Sequence, residues 1–394
     1  MTSDLLRRAK ALKGWMVGIR RHLHGHPEVS FQERETGRFL ASELRALGLP
    51  VRHPVAGTGL LATVKGDQPG KTVALRADMD ALPVQEETGL SFASRVPGAM
   101  HACGHDAHMA CLLGAARLLL EQRKEMPGNV RLLFQPAEET VPGGAKAMIK
   151  DGALEGVSAI FGLHVDPSLA TGTVGIKVGV LMAQADDFDL TILGKGGHAA
   201  RPHTSVDAIV VASQVIQALQ TIVSRRIDPV TPAVVTVGRI SGGTKHNIIA
   251  DRVVLQGTCR SLDSGTARKL KSHVAQVARD VARAYGGKCL FQYTVGYPPL
   301  INPERETRFA KGFLTRLLGG KNVLTLKEPL MGGEDFTFYL KKIPGTFLRL
   351  GIRNPRLGST FPWHHSRFLV DEEAIPIGAA VLAHLAQEFL RSKT

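Results

Sequence analysis

The chain has 394 residues, of which 44% are hydrophobic and 21% charged, a composition typical of a globular protein of two or three domains. Basic residues exceed acidic ones by 14, but they are dispersed and only 5% of residues are aromatic. We therefore expect no nucleic-acid partner and a positive field that attracts small anions. No apolar run reaches the roughly 20 residues of a membrane-spanning helix. Four cysteines are too few for a disulfide framework and the N-terminal segment lacks the apolar core of a signal peptide, so we expect a cytoplasmic protein without a membrane partner.

Helical and strand patterns alternate through the first part of the chain. Apolar spacing predicts helices at 5–23, 36–47, 106–124 and 144–151, and strands at 59–65, 72–76, 129–134 and 159–164. This alternation predicts an α/β fold with a largely parallel sheet. Further helix and strand segments follow Tyr297, and the last helix is predicted at 375–391.

The middle of the chain has a different order of elements. The pattern predicts strands at 187–193, 233–240, 248–260 and 288–295, and helices at 205–225 and 264–285. The resulting order, β-α-β-β-α-β, is typical of a ferredoxin-like domain. We therefore divide the chain into a discontinuous α/β/α domain, 1–183 and 294–394, and an inserted domain, 184–293.

The densest group of possible metal ligands lies at 100–108, in the sequence Met-His-Ala-Cys-Gly-His-Asp-Ala-His. Thiolate and imidazole are good ligands for zinc and similar ions. Cys103 and His105 share one face if this segment is extended. A buried cysteine beside surface histidines explains the same residues equally well.

Carboxylates and further imidazoles follow other apolar runs. Glu138 and Glu139 come after a predicted strand, where one carboxylate can hold a metal ion while the other acts as a general base. Such a pair alone is more typical of a solvated loop. His164 ends another strand, where a structural histidine is the commoner case, and His364 and His365 lie near the C-terminus.

Two aspartates end the strand predicted at 72–76. Asp78 and Asp80 suit the orientation of ligand histidines through hydrogen bonds. Strand ends of one α/β sheet are where active sites gather.

The inserted domain has polar candidates of its own. A glycine-rich turn at 194–200 contains His198 but lacks the Lys-Ser/Thr ending of a P-loop. Asn247 is predicted to begin a strand that Arg260 ends. An arginine fork at that place suits a substrate carboxylate, although a surface ion pair is the commoner fate of an arginine.

Taken together, these segments occur in a familiar order: MHACGHDAH, FQPAEE, GLHV, GKGGHAARPH, GTCR, GGEDF and WHHSRF. The chain resembles the metal-dependent aminoacylases and carboxypeptidases, in the branch of hippurate hydrolase, N-acetyldiaminopimelate deacetylase and the plant auxin-conjugate hydrolases. The resemblance runs from about His22 to His364 and includes the inserted domain as a lid. The chain departs from the family pattern at Ala250 and Ser366, where the family commonly has proline.

The resemblance implies two divalent ions per chain, with zinc or manganese preferred and nickel or cobalt as alternatives. Cys103 is similar to a thiolate that bridges both ions. His105 and His164 match the ligands of one ion, and Glu139 and His364 match those of the other.

The resemblance also implies roles in catalysis and substrate binding. Glu138 is similar to the general base, and His198 is similar to a lid histidine that stabilises the oxyanion, in dimeric members often in the partner's site. Asn247 and Arg260 resemble the pair that grips the substrate's α-carboxylate.

The expected reaction is hydrolysis of N-acyl amino acids, with acetyl, benzoyl or similar acyl groups, by water that Glu138 activates at the metals. A carboxypeptidase or dipeptidase with the same two-metal site is the alternative. A cysteine hydrolase with Cys103 as nucleophile and His105 as its partner, or a non-catalytic metal-binding protein, would also use some of these residues. The resemblance implies a homodimer or homotetramer formed through the lid.

Overall fold

The computed structural model describes residues 2–392. Its α-helices are α1 (Thr2–Ala11), α2 (Lys13–Gly25), α3 (Arg34–Ala46), α4 (His105–Leu120), α5 (Ala145–Lys150), α6 (Ala208–Arg226), α7 (Ser264–Ala284), α8 (Glu304–Leu318), α9 (Thr337–Leu340) and α10 (Ala374–Arg391). Its strands are β1 (Val51–Val55), β2 (Gly59–Lys65), β3 (Gln68–Asp78), β4 (Pro127–Gln135), β5 (Val157–Ala170), β6 (Val174–Ile176), β7 (Gly179–Met182), β8 (Gln184–Leu193), β9 (Gly197–His198), β10 (Ala233–Gly242), β11 (Ile248–Ile249), β12 (Arg252–Ser261), β13 (Lys288–Tyr297), β14 (Leu300–Asn302), β15 (Val323–Thr325) and β16 (Gly345–Arg353).

Every predicted helix and strand is present, but one helix and one strand that were predicted as continuous are each divided in two. The helix predicted at 5–23 is two helices, α1 and α2, separated at Leu12. The strand predicted at 248–260 is also two strands, because β11 ends at Ile249 and β12 begins at Arg252. Asn247 and Arg260 therefore do not lie at the two ends of one strand.

The chain divides into two compact units. The first contains Met1–Gly179, Ile301–Lys327 and Asp335–Thr394, and the second contains Val180–Leu300 and Glu328–Glu334. The predicted inserted domain, 184–293, lies entirely within the second unit.

The first unit is built on an eight-stranded sheet with the order β1-β2-β4-β3-β5-β16-β6-β15. Its centre is parallel, since β3 pairs with β4 and β5 in parallel and β5 pairs in parallel with β16. Nearly all of α4 is buried, and it packs with α10 in a core that also includes residues of β3, β4 and β5. The α/β prediction with a largely parallel sheet is confirmed.

The second unit contains an antiparallel sheet with the order β10-β12-β8-β13. When these four strands are numbered 1 to 4 along the chain, their order in the sheet, read from β13, is 4-1-3-2. This is the strand order of a ferredoxin-like fold. Helices α6 and α7 bury their apolar faces on this sheet through Val215, Leu219, Leu270 and Val274. Helix α6 is long and apolar enough by composition to cross a membrane, but its buried face belongs to this core.

Candidate metal centre

Three neighbouring parallel strands position the candidate ligands of the first unit. Strand β3 ends at Asp78, and β4 ends just before the segment that carries Glu138 and Glu139. The prediction that His164 ends a strand was wrong, because β5 continues to Ala170. His105 is the first residue of α4, where Gly104 adopts a left-handed φ of 91°. A β-carbon on Gly104 would lie 2.4 Å from Val165 Cγ2, so the turn into α4 requires glycine.

Five side chains form two overlapping groups of potential ligands. In each group the ligand atoms lie within 4.8 Å of one another, and the two groups are Cys103, His105 and His164, and Cys103, Glu139 and His364. The Sγ of Cys103 lies 3.3 Å from His164 Nε2, and His364 Nε2 lies 3.4 Å from Glu139 Oε1. Cys103 is the member that the two groups share.

Hydrogen bonds fix the tautomers of two of these histidines. His105 Nδ1 donates to the backbone oxygen of Asp80 at 2.8 Å, and His164 Nδ1 donates to the backbone oxygen of Val165 at 2.8 Å. In the neutral ring Nε2 is therefore free to bind a cation. Among the described residues, neither His105 Nε2 nor Glu139 Oε1 has a hydrogen-bond partner although both are buried. These atoms fit a metal ion.

The electrostatics of the site favour a cation. Burial would lower the pKa of His105, but the carboxylates of Asp78, Asp80 and Glu139 outweigh burial and raise this pKa to about 10. Burial and the charges of Glu139 and Glu138 raise the pKa of the Cys103 thiol well above its ordinary value. A cation bound beside these carboxylates would favour the thiolate form of Cys103, which is the form that binds metals.

Asp80 holds the adjacent carboxylates in place. One of its carboxylate oxygens accepts the backbone N–H of Glu138 at 3.0 Å and the other accepts that of Glu139 at 3.0 Å. Ala137, just before this pair, has a left-handed φ of 52°. The strained turn and the shared acceptor direct Glu138, which is buried, and Glu139 to the same site.

His364 and not His365 joins the cluster. His365 stacks on Phe361 with ring centroids 4.5 Å apart, and its Nδ1 accepts the N–H of Arg367. His364 has a left-handed φ of 64°, and its N–H donates to the backbone oxygen of Ala102 at 2.9 Å. This bond ties the C-terminal loop to the segment that carries Cys103.

The other two histidines of the 100–108 motif have different surroundings. His108 donates from Nδ1 to Asp78 at 2.6 Å and accepts the N–H of Val165 at Nε2, so neither nitrogen is free for a metal. The expectation that Asp78 orients a ligand histidine is therefore wrong, because Asp78 orients His108. Burial lowers the pKa of His101 to about 4, which keeps this ring neutral.

The remaining candidates lie in the second unit. His198 is exposed on β9, opposite Ile248 of β11, and the backbone oxygen of Asn247 accepts the N–H of Ala199. His198 and Asn247 are therefore neighbours. Arg260 lies on β12, and in the part of the chain that the structure describes its side chain makes no ion pair or hydrogen bond.

Comparisons with known proteins agree with this geometry. The model of peptidase family M20/M25/M40 matches residues 74–388. The chain belongs to this family. It is 44% identical to an N-acetyl-L-cysteine deacetylase of Bacillus subtilis, with 97% of this chain and 89% of the relative covered. It is 41% identical to thermostable carboxypeptidase 1 of Saccharolobus solfataricus, with 96% of each covered.

One similar solved structure is of a protein that binds two metal ions. The crystal structure of a dinuclear metal binding peptidase of the M20 family from Bacillus subtilis superposes with a TM-score of 0.80 at 39% identity, over 97% of this chain and 99% of that one. The two ligand groups that share Cys103 fit two ions as well. The prediction of a two-metal, metal-dependent hydrolase of amide bonds in this M20 family is confirmed.

Sequence reasoning missed two residues that support the ligands. The indole N–H of Trp363 donates to the backbone oxygen of Val165 at 2.9 Å. The available signal was an aromatic side chain directly before the ligand candidate His364. No pattern in the sequence indicated Val165.

Proposed function

We propose that this M20 family member hydrolyses N-acyl amino acids to a carboxylic acid and a free amino acid. The observation that carries the proposal is the position of Cys103, which belongs to both ligand groups beside the paired carboxylates of Glu138 and Glu139. A carboxypeptidase or dipeptidase activity is the second candidate, because relatives of similar identity are named as a deacetylase and as a carboxypeptidase.

In this proposal, five side chains hold the ions: Cys103, His105, Glu139, His164 and His364. When bound, two divalent ions supply a Lewis acid for the substrate carbonyl and lower the pKa of water. The mixed sulfur, nitrogen and oxygen donors suit zinc or manganese first, with nickel or cobalt as alternatives.

Glu138 acts as the general base. It is buried next to the ligand Glu139, and Asp80 holds its backbone. Glu138 takes the proton of the attacking water and passes it to the departing amine, so one carboxylate serves both halves of the reaction.

The second unit supplies the groups that recognise the substrate and the transition state. His198 Nδ1 accepts the N–H of Ala200 at 3.1 Å, so in the neutral ring the hydrogen is on Nε2, a donor suited to an oxyanion. Arg260, with no ion pair among the described residues, is suited to the substrate's α-carboxylate together with Asn247.

The proposal also covers the charge of the substrate, the cellular compartment and the assembly of the protein. The substrate is a small anion, which the net charge of +14 attracts. We propose that the protein works in the cytoplasm, where its four free cysteines stay reduced. The second unit then acts as the lid and as the surface of a homodimer or homotetramer.

The test is activity of the metal-free chain after it is reloaded separately with zinc, manganese, nickel and cobalt. N-acetyl and N-benzoyl amino acids are compared with dipeptides that have the same C-terminal residue. We expect kcat/KM to be higher for the acyl substrates. Faster turnover of the matched dipeptides would favour the peptidase, and activity that a chelator does not affect would exclude both.

A pair of adjacent variants tests the division of labour. Glu138→Gln keeps the size of the side chain, so we expect two bound ions and a kcat lower by about 10²–10⁴-fold. Glu139→Gln should instead lose an ion, as elemental analysis would show. Near-normal turnover in Glu138→Gln would contradict the assigned base.

A further inference from the structure

We propose that Trp363 is a positioning residue that, through a hydrogen bond to the backbone oxygen of Val165, holds the loop of the ligand His364 against the strand that carries His164. The backbone oxygen of Val165 accepts His164 Nδ1 at 2.8 Å and the indole N–H of Trp363 at 2.9 Å. Trp363 directly precedes His364. The proposal rests on the ligand roles proposed above for His164 and His364.

The N–H of Val165, which belongs to the preceding peptide group, is also held. The N–H of Val165 donates to His108 Nε2 at 2.9 Å, and His108 Nδ1 donates to Asp78 at 2.6 Å. Val165, His108 and Asp78 are all buried. The backbone of Val165 is therefore fixed by hydrogen bonds on both sides of its α-carbon.

The indole ring of Trp363 also contacts two neighbouring side chains. The guanidinium of Arg349 lies 4.8 Å from the centroid of the Trp363 ring, and Arg349 is itself buried in an ion pair with Asp166 at 3.1 Å. The rings of His164 and Trp363 meet edge to face at 5.8 Å. Trp363 therefore has one orientation, in which its N–H points to the Val165 oxygen.

The backbone of His364 needs such an anchor. Its φ of 64° is unfavourable for a residue other than glycine. Two hydrogen bonds constrain the chain directly before this conformation, one from the His364 N–H to Ala102 and one from the Trp363 indole to Val165. Loss of the indole donor should let the His364 loop relax, while His164 keeps its own bond to Val165.

The test is the variant Trp363→Phe, which keeps an aromatic ring but removes the N–H donor together with part of the indole. We expect its affinity for the ion of Glu139 and His364 to fall by about 10–100-fold, as for other groups that orient metal ligands. The ion of His105 and His164 should remain. Zinc affinity and stoichiometry are measured by competition with a chelator followed by elemental analysis. Trp15→Phe is the matched control and should bind both ions normally, since Trp15 lies on α2 against Arg117.

The control also provides a readout that does not depend on activity. The chain has two tryptophans, so Trp15→Phe leaves Trp363 as the only one. Its fluorescence should change as zinc binds and should stop changing after the second equivalent. Unchanged fluorescence, or two ions bound with normal affinity in Trp363→Phe, would overturn the proposal.

The variant His364→Ala separates this inference from the proposed metal site. If His364→Ala loses one ion and Trp363→Phe loses none, the positioning role is wrong and the ligand assignment stands. If His364→Ala binds both ions with normal affinity, the ligand assignment itself is wrong.

Discussion

Replacement of Asp80 by asparagine would disturb the general base and a metal ligand together. The carboxylate of Asp80 accepts the backbone N–H groups of Glu138 and Glu139, each at 3.0 Å, and the hydroxyl of Ser30 at 2.7 Å. Asparagine keeps one oxygen, so one of the two N–H groups would face an NH₂ group. The variant has the same size, so the change is confined to hydrogen bonding and charge.

The expected loss of activity in Asp80→Asn follows from placing an NH₂ group opposite a backbone N–H. A donor left without an acceptor costs about 1–3 kcal/mol, which corresponds to a loss of about 5- to 150-fold in kcat/KM if the cost falls on the active geometry. Metal affinity should fall as well, because the negative charge beside His105 is lost.

The assay is steady-state hydrolysis of an N-acetyl amino acid together with metal analysis. Ser30→Ala is the control, since it removes one contact to the same carboxylate and leaves both backbone bonds in place, so its effect should be much smaller. Wild-type kcat/KM and metal content in Asp80→Asn would refute this reasoning.

Three further predictions concern other parts of the protein. Cys103→Ala should lose both ions, and two ions per chain in elemental analysis would exclude a shared ligand. Arg260→Ala should raise KM for N-acyl amino acids much more than for their amides, which lack a carboxylate; equal changes for both would contradict the proposed grip. Burial would lower the pKa of His24, but hydrogen bonds to Asp106 and Glu86 raise it. His24 therefore contributes stability that is complete below its unfolded pKa of about 6.5 and is lost as pH rises through the raised folded value. The Tm of the metal-free protein should thus exceed that of His24→Gln most near pH 6, and a difference that grows toward pH 9 would contradict this sign.

The sequence was sufficient for features that depend on local pattern. Strand periodicity located β3, β4 and β5, and residue types beside their ends indicated which side chains suit a metal. The grouping of Cys103 and His164 came from the family resemblance, because Cys103 ends no strand and strand periodicity does not show that it meets His164.

Features that depend on contacts between distant parts of the chain could not be predicted from the sequence. The role of Asp80 depends on the turn at Ala137, whose φ of 52° no residue type announces. The role of Trp363 depends on β5 lying where an indole from a later loop reaches the Val165 oxygen. The break between β11 and β12 is different, because it falls at Ala250 and Asp251, residue types that strands disfavour, so the sequence does contain a signal for it.

The order of strands in the large sheet has a consequence for how the protein is made. Strand β5 is complete at Ala170, but its parallel neighbour β16 begins only at Gly345. Until the ribosome has added those residues, β5 presents an unpaired apolar edge of the kind that promotes aggregation. The intervening segment contains a whole compact unit whose strands pair within that unit, so it can fold during this delay. Nascent chains of this protein should therefore depend on chaperones until synthesis is nearly finished, and a chain cut short before Gly345 should not accumulate in folded form.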